Sequence, residues 1–273
     1  MSKQLPISDD AIAPSQGEWK RSDELLEDVA YRFVTLANVV LLGRAHEPGW
    51  VLVDAGVSAG ANLIRQAAEE RFGAGNPPAA IVLTHGHFDH VGGLDELLEH
   101  WDVPVYAHTR ERGFLDGTEK YPPPDPDAGG GLMARLSPLF PRSPINLGPR
   151  LRLLPENGEV PGLPGWRWIL TPGHTPGHIS LWRESDRTLL AGDAFITTRQ
   201  ESAYAALTQA PEMHGPPRYL TPDWDAARES VRALAALEPE LAVTGHGRAM
   251  RGPELREALS TLAREFDRIA RPA

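Results

Sequence analysis

Cysteine is absent from this chain. No thiolate is therefore available as a nucleophile or metal ligand, and a disulfide scaffold is excluded. Long apolar runs are missing, as is a basic, apolar, cleavable leader, so the expectation is a cytoplasmic protein with no membrane partner. Positive charge is in short supply, because 27 Lys and Arg against 37 Asp and Glu leave a formal net charge of −10. Nucleic-acid affinity comes largely from basic side chains neutralising phosphates, so no nucleic-acid partner is expected. What remains is a chain of 273 residues, 41% hydrophobic and 23% charged, ordinary in composition and long enough to bury a sizeable core.

Histidine, by contrast, is concentrated. Thr84-His85-Gly86-His87-Phe88-Asp89-His90-Val91-Gly92-Gly93 places three imidazoles and a carboxylate within six positions, directly after the apolar run 79–83. That run reads as a buried strand, so the cluster sits where a strand gives way to a helix. Imidazole suits zinc, iron and related ions, and a carboxylate adds a hard, charged oxygen, so the composition points to metal.

Taken in order, the chain opens with an irregular arm over 1–18, followed by a single domain over 19–273. The stretches 31–42 and 49–54 read as paired core strands around the Pro48-Gly49 turn. Asp54 closes the second of them, either as a turn aspartate or as a carboxylate that orients a metal-bound imidazole. His46 reads as a solvated loop residue, and His100 and His108 as structural or exposed. A helix is predicted over 61–72, ended by the breaker 73–78, then a strand over 79–83, a helix over 94–101 and a strand over 103–107. Strand and helix alternate, which favours an α/β arrangement. Over 116–148 proline and glycine break the pattern, and the segment reads as an insertion serving as a lid or as a homodimer interface, with disorder as the competing reading and one or two helical turns able to form over 132–139. Strands resume at 151–154, 166–170, 178–182 and 188–191, and helices are expected over 223–237 and 253–269. Strand-rich and helix-rich blocks thus occur twice, suggesting two similar halves.

Three more polar points fall at strand ends: His174 and His178 in Thr171-Pro-Gly-His-Thr-Pro-Gly-His178, Asp193 after Ala191-Gly192, and His246 between Gly245 and Gly247. Loops at strand ends let a rigid sheet hold ligands with precision. In this order, T-H-G-H-F-D-H-V-G-G, T-P-G-H-T-P-G-H, A-G-D-A and T-G-H-G resemble the motifs of the metallo-β-lactamase superfamily, especially its glyoxalase-II-like and lactonase-like hydrolases. The resemblance implies a four-layer αββα sandwich (α/β, or α+β in some schemes) that holds two divalent ions, zinc foremost, with iron and manganese as alternatives. By matching position it assigns His85, His87 and His174 to one ion, Asp89, His90 and His246 to the other, and Asp193 to the bridge. His178 matches a position that is not a ligand and falls behind the metals, with Asp54.

Such a donor set leaves open coordination positions, and a water held between two divalent ions ionises near neutral pH. The expected activity is attack by the bridging hydroxide on a small ester, thioester or lactone, with Asp89 relaying a proton. A metal-dependent phosphodiesterase and a redox or non-catalytic metal protein are the competing readings. Several relatives fit less well. Antibiotic-hydrolysing lactamases lack a carboxylate like Asp193, glyoxalase II carries a longer C-terminal region, and lactonases often place tyrosine where this chain has Ile196. Phe88, Phe195, Met213, His214 and Tyr219 are the candidates for lining the substrate groove, with His214 or Tyr219 as a proton donor.

Overall fold

The computed structural model describes residues 5–8, 11–12, 23–142 and 145–272. The chain divides into two compact units, the first made of residues 14–121 and 142–164, the second of residues 1–13, 122–141 and 165–273. The 116–148 insertion is thus shared, its stretch 122–141 belonging to the second unit. Most of the 1–18 arm lies outside the described residues. Within it, β1 (Leu5–Pro6) belongs to the second unit, where it pairs with Glu212–Met213.

In the first unit β2 (Asp23–Leu26), β3 (Val29–Val34), β4 (Ala37–Leu42), β5 (Val51–Val53), β6 (Ala80–Val82), β7 (Val105–Ala107) and β8 (Leu151–Leu153) form one sheet in chain order. From β2 to β5 the pairing is antiparallel, and from β5 to β8 it is parallel. Parallel neighbours need long crossovers. Here α1 (Ala61–Phe72) links β5 to β6, α2 (Phe88–Val91) and α3 (Leu94–His100) link β6 to β7, and α4 (Arg112–Leu115) follows β7. The stretch 31–42, read as one strand, is itself most of a hairpin. The chain reverses at Thr35, whose φ of 64° lies in the left-handed region, and Leu36 N donates to Val34 O at 2.7 Å. No glycine or proline marks that turn, so a stretch rich in Val, Leu and aromatics concealed it. The core of this unit includes Trp50, stacked on Phe72 with ring centroids 4.3 Å apart and met edge-on by Trp101 at 5.6 Å.

The second unit begins its helices with α5 (Leu132–Leu136). Its sheet runs β14-β13-β11-β10-β9, where β9 is Trp166–Leu170, β10 Ile179–Arg183, β11 Thr188–Gly192, β13 Leu241–Thr244 and β14 Met250–Arg251. Between β11 and the parallel β13 come α6 (Ala203–Thr208), β12 (Glu212–Met213) and α7 (Trp224–Ala236). The Asp223 side chain caps α7, accepting from Ala226 N at 2.9 Å, a contact worth roughly 1 kcal/mol. The helix read over 253–269 is two, α8 (Gly252–Arg264) and α9 (Phe266–Ile269), parted at Glu265, whose φ of −114° and ψ of 25° are not helical. The α/β reading is upheld as a mixed fold of two principal sheets with helices, each sheet burying its own hydrophobic cluster.

Candidate metal centre

In the first unit, Leu83 leaves β6 and the motif turns at His87, whose extended backbone caps α2 while its carbonyl accepts from His90 N at 2.9 Å. His85, His87, Asp89 and His90 are all buried. Glycine at 92 and 93 is demanded by close approach. A Cβ on Gly92 would stand 2.5 Å from Phe88 O, and one on Gly93 2.4 Å from Ala55 O.

Asp54 organises this cluster. Its Oδ1 accepts from Thr84 N and its Oδ2 from the Thr84 hydroxyl, both at 2.8 Å, and Oδ2 also lies 2.8 Å from His90 Nδ1. A carboxylate only accepts, so His90 carries a proton on Nδ1, which in the neutral ring leaves the buried Nε2 as a lone pair. The Thr84 hydroxyl has one proton, already given to Asp54. Towards His85 Nδ1, 3.0 Å away, it therefore accepts, which fixes the proton on Nδ1 and leaves His85 Nε2 as a lone pair. That Nε2 lies 3.0 Å from His87 Nδ1. Two nitrogens bound to one zinc at ~2.0–2.1 Å with tetrahedral angles stand roughly 3.3 Å apart, so this pair fits a shared ion.

The second unit repeats the device. Thr171 to His178 joins β9 to β10, and Gly173, at φ 130°, passes so close to α7 that a Cβ would meet Ala227 N at 2.3 Å. The Thr221 hydroxyl donates to Pro217 O at 2.7 Å and therefore accepts from His174 Nδ1 at 3.1 Å. His174 Nε2 lies 3.3 Å from Asp193 Oδ2, and His246 Nε2 reaches the same oxygen at 3.1 Å. One carboxylate oxygen thus stands between two buried imidazoles. His178 is buried and is positioned to act through Asp193, because its Nε2 accepts from Asp193 N at 2.8 Å while its Nδ1 meets Thr171 Oγ1 at 2.8 Å. His246 is held through its backbone, its carbonyl accepting from Thr244 Oγ1 at 2.7 Å and from Thr197 N at 3.0 Å. Each unit therefore carries buried His and Asp side chains of the kinds that ligate metals.

The expected groove residues are placed differently. Phe195 and Met213 are fully buried in the core of the second unit, packed in one cluster with Leu255 and Phe266. Apolar residues beside a polar motif serve packing as readily as recognition, and in this structure both pack in that cluster. His214 is buried with its Nε2 3.5 Å from Glu201 Oε2, Tyr219 is buried beside Phe140, and Phe88 is half-buried. His46 and His100 are exposed, whereas His108 is buried and accepts from Arg110 N at 3.2 Å.

Sequence reasoning missed Thr84, Thr221, Glu111 and Tyr121. Thr221 lies 47 positions from the histidine it orients, and no local spacing announces such a partner. Glu111 and Tyr121 meet at the Gly86 amide of the motif, and burial, then the Glu111 carboxylate, hold the Tyr121 phenol well above its ordinary range.

The family model described as the Metallo-beta-lactamase superfamily matches residues 32–246. The chain is 52% identical over 237 residues to the probable metallo-hydrolase YflN of Bacillus subtilis (strain 168), covering 86% of this chain and 90% of that protein. A partial likeness to the hydroxyacylglutathione hydrolase of Bdellovibrio bacteriovorus reaches 30% identity over 120 residues, covering 43% of this chain and 35% of that protein. Among solved structures, TTHA1623 in a di-iron-bound form aligns with a TM-score of 0.54 at 28% identity, covering 84% of this chain and 92% of that one.

Proposed function

This chain belongs to the metallo-β-lactamase superfamily, and from that premise we propose that it is a dinuclear metallohydrolase acting on a small ester, thioester or lactone. The observation that carries the proposal is the prepared state of the imidazoles. His85 and His90 have Nδ1 turned to Thr84 and Asp54 and His174 has Nδ1 turned to Thr221, so in each the buried Nε2 is the nitrogen left to meet an ion. In this reading His85, His87 and His174 hold one ion, Asp89, His90 and His246 the other, and Asp193 lies between them. Two such ions supply an acidified water as nucleophile and Lewis-acid polarisation of the acyl oxygen.

The chain's own side chains do the rest. Asp54, with Thr84, and Thr221 orient the imidazoles, His178 fixes the backbone of Asp193, and Asp89 would take the proton of the added hydroxyl after attack and pass it to the leaving oxygen or sulfur. The thioester member of the substrate class draws support from the partial likeness to a hydroxyacylglutathione hydrolase. Zinc is the first choice of metal, with iron close behind because the similar TTHA1623 structure is of a di-iron-bound form.

The test is turnover on thioester, lactone and phosphodiester substrates after stripping the protein and reloading it separately with zinc, iron and manganese. Acyl hydrolysis lost on stripping and restored by one ion is expected. Phosphodiester cleavage alone, or oxygen uptake without hydrolysis, would replace this reading with one of its rivals. Asp89→Asn that keeps both ions and full turnover would remove the proton role of Asp89.

A homodimer contact is proposed at the insertion. Leu132, Leu136, Leu139, Tyr204 and Leu207 of the second unit are all exposed, an apolar surface of the kind that marks an interface. Leu136→Asp with Leu139→Asp should then shift sedimentation from dimer to monomer. A wild-type monomer would end that part of the proposal.

A further inference from the structure

Gly86, between two of the proposed ligands, has an unusual setting. Its N–H points at two acceptors together, Glu111 Oε2 at 3.0 Å and the Tyr121 phenol oxygen at 2.9 Å. The phenol in turn donates to the same carboxylate oxygen of Glu111. Glu111 is fully buried and Tyr121 nearly so. Burying a carboxylate and a phenol costs free energy unless hydrogen bonds repay it, yet both converge on one amide, 25 and 35 positions away in sequence.

The Tyr121 ring is fixed as well. It stacks on Phe114, with centroids 3.9 Å apart and planes 16° apart, and it meets the His87 ring at 4.4 Å and 57°. Tyr121 therefore holds His87 in two ways, by a ring contact and through the amide that precedes it. The contact is tight, since a Cβ added to Gly86 would stand 2.7 Å from the phenol oxygen and 3.2 Å from Leu115 Cδ2.

We propose that Tyr121 and Glu111 are positioning residues for the metal site, setting the backbone at Gly86 and the plane of the His87 ring so that His87 Nδ1 and His85 Nε2 converge on one ion. The proposal rests on the dinuclear reading given above. It also ties the site to the insertion, because Tyr121 is the last residue of the first unit before the chain enters 122–141.

The test uses cobalt(II) as the probe on the full-length, metal-stripped protein, with visible absorption and chelator competition giving two binding constants. His87→Ala identifies which constant belongs to the His85 and His87 position. Tyr121→Phe keeps the ring stack and removes only the hydroxyl. It should weaken that constant about 10- to 100-fold and leave the other within about threefold, the range expected when the partner of a ligand is lost. The melting temperature of the stripped protein should stay within a few degrees of wild type.

Glu111→Gln should act in the same direction. Gly86→Ala should weaken the same constant strongly alone but less in the Tyr121→Phe background, where the crowding oxygen is gone. The proposal fails if Tyr121→Phe and Glu111→Gln both leave the constant within about twofold. It also fails if both constants fall together with the melting temperature, or if Gly86→Ala is equally harmful in either background. A wild-type protein that binds no cobalt at all would instead bring down the dinuclear reading itself.

Discussion

Asp54 Oδ2 lies 2.8 Å from His90 Nδ1 and receives the Thr84 hydroxyl proton at the same distance, so one oxygen sets the tautomer of two histidines. Asparagine at this position should separate that role from the backbone. Asp54 has φ 61°, a left-handed conformation that asparagine tolerates, so Asp54→Asn should fold. Its amide cannot accept from both partners on one atom and also satisfy Thr84 N. Metal affinity, read by equilibrium dialysis, should fall about 10- to 100-fold. Unchanged affinity would show that the tautomers are set elsewhere.

Thr221 makes a simpler prediction. Thr221→Val keeps the shape and removes the acceptor of His174 Nδ1, so kcat/KM on an active acyl substrate should drop on the order of tenfold. Thr221→Ser should recover most of it. Equal activity in the valine and serine variants would dismiss the hydroxyl.

Gly173→Ala tests the close approach to α7. The added Cβ would lie 2.3 to 2.6 Å from Ala227 N, Cα and Cβ at a φ of 130°, so a backbone must shift. A loss of about 2–4 kcal/mol in a denaturant titration is expected, from strain and overpacking together. A loss below about 0.5 kcal/mol would mean that the loop moves freely.

His108 supplies a pH dependence. Burial, then the nearby Arg110 charge, holds its imidazole below the ordinary 6.5. A depressed value means that the folded state favours the neutral ring. The associated stability is complete above the unfolded value near 6.5 and is lost as pH falls through the lower folded value. Asparagine caps the same turn and does not titrate, so His108→Asn should match wild type at pH ~7.5 and melt on the order of 2 °C higher near pH ~5. Parallel melting curves across that range would refute the assignment.

Much of this was legible in the sequence because metal chemistry compresses its signal. His85, His87, Asp89 and His90 fall in one short stretch, and the helix over 61–72 was bounded by its own breaker and appears with those bounds. The Thr35 turn was hidden because it uses neither glycine nor proline. The burial of Phe195 and Met213 in one apolar cluster was not legible, because proximity to a polar motif says nothing about what a side chain packs against. Thr221, Glu111 and Tyr121 were invisible for another reason. Their partners are set by the folded chain at separations of 47, 25 and 35 residues, where no periodicity reaches.

The pairing of β1 with β12 has a bearing on how the protein is made. Leu5 sits opposite Met213, and Ile12 bridges to Met250, so both residues find their places only after partners far later in the sequence have emerged. The sheet of the first unit likewise waits for β8, because 122–141 must be synthesised before Leu151 can reach Val105. Contacts this distant in sequence delay assembly, so the amino-terminal strand acts as a late fastening rather than a seed, and its removal should speed the opening of the second unit more than it slows the closing.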